Sequence, residues 1–122
     1  MSWPEEALSP RDGRLPVSVL GLGWVGAALV ARLVSGAGRP LDVNVVVPSD
    51  AHRGSYLDLA HTIGFHPRHR LRWNDRDAYR DAAVVFHAAG ASNPRGASRL
   101  SVAAANAALT REVLGGAGFR RA

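Results

Sequence analysis

Hydrophobic and polar positions along the chain switch repeatedly between a two-residue and a helical period. Pro16 to Leu20 is a short apolar run read as a strand. From Trp24 to Ser35 the apolar positions Val25, Ala28, Leu29, Ala31, Leu33 and Val34 follow a helical spacing, and Gly36 or Gly38 ends the helix. Val43-Asn-Val-Val-Val47 is β-branched and stops at Pro48-Ser49-Asp50, where Ser49 or Asp50 is placed to cap a helix running to about Thr62. Arg70 to Trp73 reads as a weaker third strand. Ala82 to His87 reads as a fourth, apolar enough to be buried on both faces of a parallel sheet. Ser98 to Leu114 has helical composition and ends at Gly115-Gly116. The order β-α-β-α-β-β-α predicts the first part of an α/β, Rossmann-like, doubly wound parallel sheet, with about four strands, three helices and right-handed crossovers. Residues 1–15 read as a flexible N-terminal arm, 16–114 as an incomplete dinucleotide-binding domain, and 115–122 as a frayed tail.

Composition adds little that is specific. A chain of 122 residues makes one domain with a modest core. The absence of cysteine removes disulfides, thiol nucleophiles and thiolate metal sites, and no metal site is expected. No apolar run is long enough for a bilayer, and the acids and prolines of Met1 to Pro16 do not form a signal peptide, so a cytoplasmic location is expected by elimination. The formal net charge of +5 invites a nucleic-acid reading. All fifteen basic residues are arginine, however, which points to a coding bias. The densest patch, His66 to Trp73, reads as a solvated loop and strand edge.

Candidate chemistry concentrates between the first strand and the first helix. Gly21-Leu-Gly23-Trp24-Val25-Gly26 is a Gly-x-Gly-x-x-Gly turn in the strand–turn–helix context that a dinucleotide-binding site requires. Gly21 permits the tight turn, Gly23 lets backbone approach a pyrophosphate, Gly26 allows close helix–strand packing, and the helix start offers free N–H donors to the phosphates. His87, at a strand end, has the chemistry of a general base, but a hydrogen-bonded core histidine is the plainer reading; Asp58 and His61 read as packing and surface residues of their helix.

Taken in order, Gly21 to Gly26, Leu57-Asp-Leu-Ala-His61, Asp75 to Asp81, Ala88-Ala-Gly90-Ala91, Gly96-Ala-Ser98-Arg99-Leu100 and Asn106 resemble the N-terminal NAD-binding domain of the lactate and malate dehydrogenase family. The resemblance covers roughly residues 16 to 114. It implies that Gly21, Gly23, Trp24, Val25 and Gly26 hold the pyrophosphate of NAD, that Gly90 and Ala91 line the cofactor beyond the fourth strand, and that Asn106 contacts the nicotinamide side. It further implies that Arg99 is the mobile-loop arginine that closes over substrate and polarises its carbonyl, a task suited to a permanently charged guanidinium. Asn93 takes the position that helps choose the substrate side chain.

The chain departs from the family pattern in three places. Val46 stands where the family has the acid that accepts from the adenosine ribose, which weakens NAD unless Asp50 or Ser49 reaches back; a phosphate-bearing NADP would instead meet Arg53. Asn93 is neither the glutamine of lactate-type members nor the arginine of malate-type ones, and Arg95 is a candidate to take over charge recognition. The family's catalytic histidine, its aspartate partner and the carboxylate-gripping arginine have no matching block here. The expected function is therefore the cofactor-binding portion of an NAD-dependent 2-hydroxyacid (malate or lactate) dehydrogenase. Such a truncated chain is inactive alone, and its partners are a small 2-hydroxy or 2-oxo acid in the full-length family and a second copy of the chain in a homo-oligomer, with no membrane and no nucleic acid. The alternative is a non-catalytic nucleotide-binding or interaction half-domain that acts through a partner chain across the open edge of the fourth strand.

Overall fold

A computed structural model describes residues 13–90, 95–96 and 98–120. Four parallel strands form one sheet in the order β3-β2-β1-β4: β1 is Leu15–Leu20, β2 Leu41–Val46, β3 Arg70–Trp73 and β4 Val84–His87. The α-helices are α1 (Trp24–Gly36), α2 (Arg53–Thr62), α3 (Arg76–Arg80) and α4 (Ala103–Gly115), with α2 entered through a 3-10 turn at Asp50–His52. This is the Rossmann-like α/β arrangement the alternating pattern predicts. It has one helix more than expected, because α3 is too short for an apolar period to show.

Burial follows strand position. All six residues of β1 and the first five of β2 are buried, since both strands have a hydrogen-bonded neighbour on each side. Val17, Val19, Val43 and Val45 form the middle of the core, with Val30 and Val34 from α1 and Tyr56 from α2 packed against them. β4 differs from expectation. Its residues Val84 to Phe86 are only half-buried, and His87 is exposed, because β4 is an edge of the sheet. His87 is accordingly a surface residue and not a core histidine; its Nε2 lies 2.8 Å from the Thr110 hydroxyl.

The segment after α4 also differs from the predicted tail. Ala117 is buried with Leu20 and Tyr79, and the Phe119 ring meets that of Tyr79 edge-on at 5.1 Å. Arg120 donates its backbone N–H to the Arg80 carbonyl at 2.8 Å and pairs its guanidinium with Asp77 and Asp81. Glycine content suggested fraying, but one aromatic and one arginine among the glycines suffice to dock the segment on α3.

At the opposite end of the sheet, the buried His69 ring accepts the Leu41 N–H on Nδ1 at 3.0 Å, which holds the start of β2. Burial lowers the His69 pKa below its ordinary value, helped by Arg68, His66 and Arg14. A protonated ring would lose this acceptor. The folded pKa lies below the unfolded one, so its stabilising contribution is present above about pH 6.5, the unfolded value, and is lost as pH falls through the folded value. Urea unfolding at pH 7.5 and 5 should therefore show a loss of stability on acidification that is reduced in His69→Gln; an identical loss in that variant would place its origin elsewhere.

Candidate functional site

The three glycines of the first turn have three different environments. Gly21 has φ +91°, and a Cβ there would lie 2.8 Å from the Ala89 Cα, so the turn is closed against the segment that follows β4. A Cβ on Gly26 would lie 2.1 Å from the Gly21 carbonyl oxygen, where α1 packs on β1. Gly23 is the reverse: a Cβ there would meet nothing within 4 Å. Gly23 is also the N-cap of α1, supplies no side-chain cap, and is followed by a first turn without acidic residues. The first N–H groups of α1 thus receive no side-chain cap from Gly23.

The turn is locked to its neighbours by the Gly21 N–H donating to the Val46 carbonyl at 2.8 Å and the Ala88 N–H donating to the Leu20 carbonyl at 2.9 Å. These bonds bring the ends of β1, β2 and β4 to the rim of one cleft of about 940 Å³. Its floor is Leu20 to Trp24, one wall is Val46 to Ser49 with His52, a second is Asn74 to Arg76 with Tyr79 and Arg80, and a third is Ala88 to Gly90 with the end of α4. The location, outside the carboxyl ends of parallel strands at the point where strand order reverses from β1 to β4, is the ligand position of open α/β sheets.

Of the residues singled out from sequence, Gly21, Gly23, Trp24 and Gly90 line this cleft. Gly26 sits behind it as a packing contact, and Val25 points to solvent at 71% exposure without lining it. The Asn106 carboxamide oxygen comes within 3.5 Å of the Cβ position of Gly90, so α4 presents this residue beside the end of β4. Arg99 lies in an exposed 3-10 turn, Arg99–Val102, and does not line the cleft. Ala91 and Asn93 lie outside the described residues. Val46 is half-buried, ends β2 and contributes to the wall.

Sequence reasoning missed the polar framework that builds the second wall. The buried Asn44 carboxamide donates to the Asp75 carbonyl at 2.8 Å and accepts the Asp75 N–H at 3.1 Å. Asn74, at φ 49°, donates its N–H to the Val45 carbonyl and accepts the Val47 N–H, both at 2.7 Å. The start of α3 is therefore tied directly to the end of β2. Asp75 caps α3 through the Ala78 N–H and pairs with Arg72 at 2.9 Å, and the first of these, followed by the second, holds its carboxyl below the usual range. The one available signal was Asp75 itself, an N-cap residue type followed by an acid in the first turn.

Residues 15–117 match the family described as lactate/malate dehydrogenase, NAD binding domain. The chain belongs to this family. Curated relatives include L-lactate dehydrogenase A of Hordeum vulgare, 30% identical over 111 residues, which span 91% of this chain and 31% of that protein. L-lactate dehydrogenase of Zea mays is 34% identical over 102 residues, spanning 80% of this chain and 28% of that protein. The chain thus spans about a third of the length of these relatives. Among solved structures, a minor L-lactate dehydrogenase from Enterococcus mundtii superposes with a TM-score of 0.73 at 20% identity, covering 88% of this chain and 35% of that one, which shows a shared fold. Among the described residues, no helix is long and apolar enough to cross a membrane.

The chain belongs to an NAD-binding domain family and has the cleft at the strand ends described above. The glycine-turn end of that cleft fits the phosphates of a dinucleotide: open space at Gly23, and a helix start with no side-chain cap from Gly23 and no acid in its first turn.

Proposed function

We propose that the cleft binds a nicotinamide dinucleotide with its pyrophosphate on the Gly21–Gly26 turn, as the cofactor-binding part of a dehydrogenase exchanging hydride between nicotinamide and a 2-hydroxy or 2-oxo acid of the lactate or malate type. The observation that carries the reading is the contrast between Gly23, whose Cβ position faces open space, and Gly21 and Gly26, whose Cβ positions are blocked. Folding alone requires the latter two glycines. It does not require Gly23, and a ligand approaching the backbone does.

In this reading Gly90 and Ala91 flank the cofactor beyond β4, and Asn106, beside Gly90, takes the nicotinamide side. Arg99 is the residue assigned to polarise the substrate carbonyl, reaching it by movement of its exposed turn. Asn93, short and neutral, reads the substrate side chain. The relatives are about three times longer than the matched segment, so turnover is proposed for the assembled dehydrogenase and not for these residues alone.

The test is calorimetric titration with NADH and NADPH. The chain should bind at least one of them, and Gly23→Val, which fills the open space, should weaken that binding by about tenfold or more while the melting temperature stays within a few degrees. Binding that is indifferent to Gly23→Val would remove the turn from the site.

A further inference from the structure

We infer that the cleft prefers a dinucleotide carrying a 2′-phosphate on its adenosine ribose, with Arg76 and Arg80 receiving that phosphate. This rests on the cofactor reading above and goes beyond it in naming the form of the cofactor and the side chains that choose it. The end of β2 is where a dinucleotide-binding sheet holds the adenosine ribose, by a carboxylate for the free hydroxyl or by a nearby arginine for its phosphate ester. At that place this chain has Val46, which accepts nothing from a hydroxyl, and the next polar side chain along the wall is Ser49.

The hydrogen bonds of Asn44 and Asn74 pin Asp75 against the end of β2, and Arg76 follows immediately. Arg80 lies one helical turn further on, on the same side of α3, and both arginines line the cleft. The carboxylates around them are already committed. Asp42 and Asp75 are paired with Arg72, and Asp77 and Asp81 with Arg120. Arg76 and Arg80 are left without an ion pair among the described residues. Arg53, the cation that the sequence offered for this task, lies over the rings of Tyr56 and Trp73 at 5.0 and 4.9 Å and does not line the cleft. Of the carboxylates that line the cleft, Asp75 is bonded to Arg72 and Glu112 has no ion pair among the described residues, so neither is paired with Arg76 or Arg80. A phosphate ester offers these two guanidinium groups charged acceptors, and a ribose hydroxyl does not. The Ser49 hydroxyl, which accepts the Ala51 N–H at 3.4 Å, keeps its own proton to donate to a phosphate oxygen.

Titration of the purified chain with NADPH and with NADH, followed by heat, decides the matter without any turnover. NADPH should bind about tenfold or more tightly, the worth of one charge-assisted hydrogen bond, and the preference should shrink as salt is raised. Arg76→Gln combined with Arg80→Gln should bring the ratio of the two constants close to one, with an unchanged circular dichroism spectrum. Val46→Asp should reverse it. Equal affinities, tighter NADH, or a ratio that survives the double substitution would overturn the inference and leave the cofactor reading standing, whereas no binding of either dinucleotide would overturn both.

Discussion

Gly26→Ala should destabilise the domain by about 3 kcal/mol, seen as a fall of roughly 10–20 °C in melting temperature. The added carbon would lie 2.1 Å from the Gly21 carbonyl oxygen, and both groups are backbone, so no side-chain rotation relieves the overlap. Either α1 lifts from β1 or the first turn opens. Opening it would endanger the Gly21 N–H to Val46 carbonyl bond that joins the turn to β2, and lifting α1 would pull Val30 and Val34, which are buried, away from the core. Gly23→Val provides the control three residues away, because its side chain enters open space at an extended backbone angle (φ −72°, ψ −160°) that valine tolerates. Binding and stability should therefore separate between two glycines of a single motif. Equal melting temperatures for the two variants would show that helix and strand are not in close contact at Gly26.

Asp42→Ala should cost about 2–4 kcal/mol in urea unfolding at neutral pH. Asp42 is 5% exposed, near the start of β2, and its two carboxylate oxygens accept the Arg72 Nε–H at 2.9 and 3.1 Å, with Arg70 at 3.9 Å. Removing it leaves a guanidinium, 27% exposed at its side chain, with Asp75 as its remaining partner. That is the costly way to break a partly buried pair, because the orphaned charge keeps its desolvation penalty. The damage should extend to the cleft, since Arg72 also holds Asp75, the cap of α3. Asp42→Asn, which keeps one acceptor, should lose less. A loss below about 0.5 kcal/mol in the alanine variant would assign the pair the small worth of an exposed surface bridge.

The parts of the fold legible in the sequence are those in which one residue type repeats at one period. The β-branched run of β2 and the apolar positions of α1 are of this kind, and the third strand, Arg70 to Trp73, is found where the pattern placed it. The five residues of α3 carry no period, and a cap, three ion pairs and the docked Phe119 hold them in place, all of which involve residues distant in sequence or polar. The partial exposure of β4 was hidden in another way. An apolar run looks the same at the middle of a sheet and at its border, and only strand order distinguishes them.

The candidate site divides in the same way. The glycine turn is local, three residues whose missing side chains define a shape, and for that reason it can be read directly from the chain. The cationic wall is not local. Five carboxylates lie at or near α3 and the cleft, Asp42, Asp75, Asp77, Asp81 and Glu112, and a list of residues would balance Arg76 and Arg80 against them. Four of these five pair instead with Arg72 or Arg120, and none of the five pairs with Arg76 or Arg80 among the described residues.

By itself, then, the sequence determined the alternation of strands and helices, the family-specific blocks and the phosphate-binding turn, because each depends on backbone preference or on a period only a few residues long. The tertiary structure decided how far the edge strand β4 is exposed, which glycine faces open space, that the glycine-rich end docks on α3, and which cleft arginines have no ion pair among the described residues. Those properties depend on distances between residues up to 68 positions apart, as between Gly21 and Ala89, and such distances exist only once the sheet has formed.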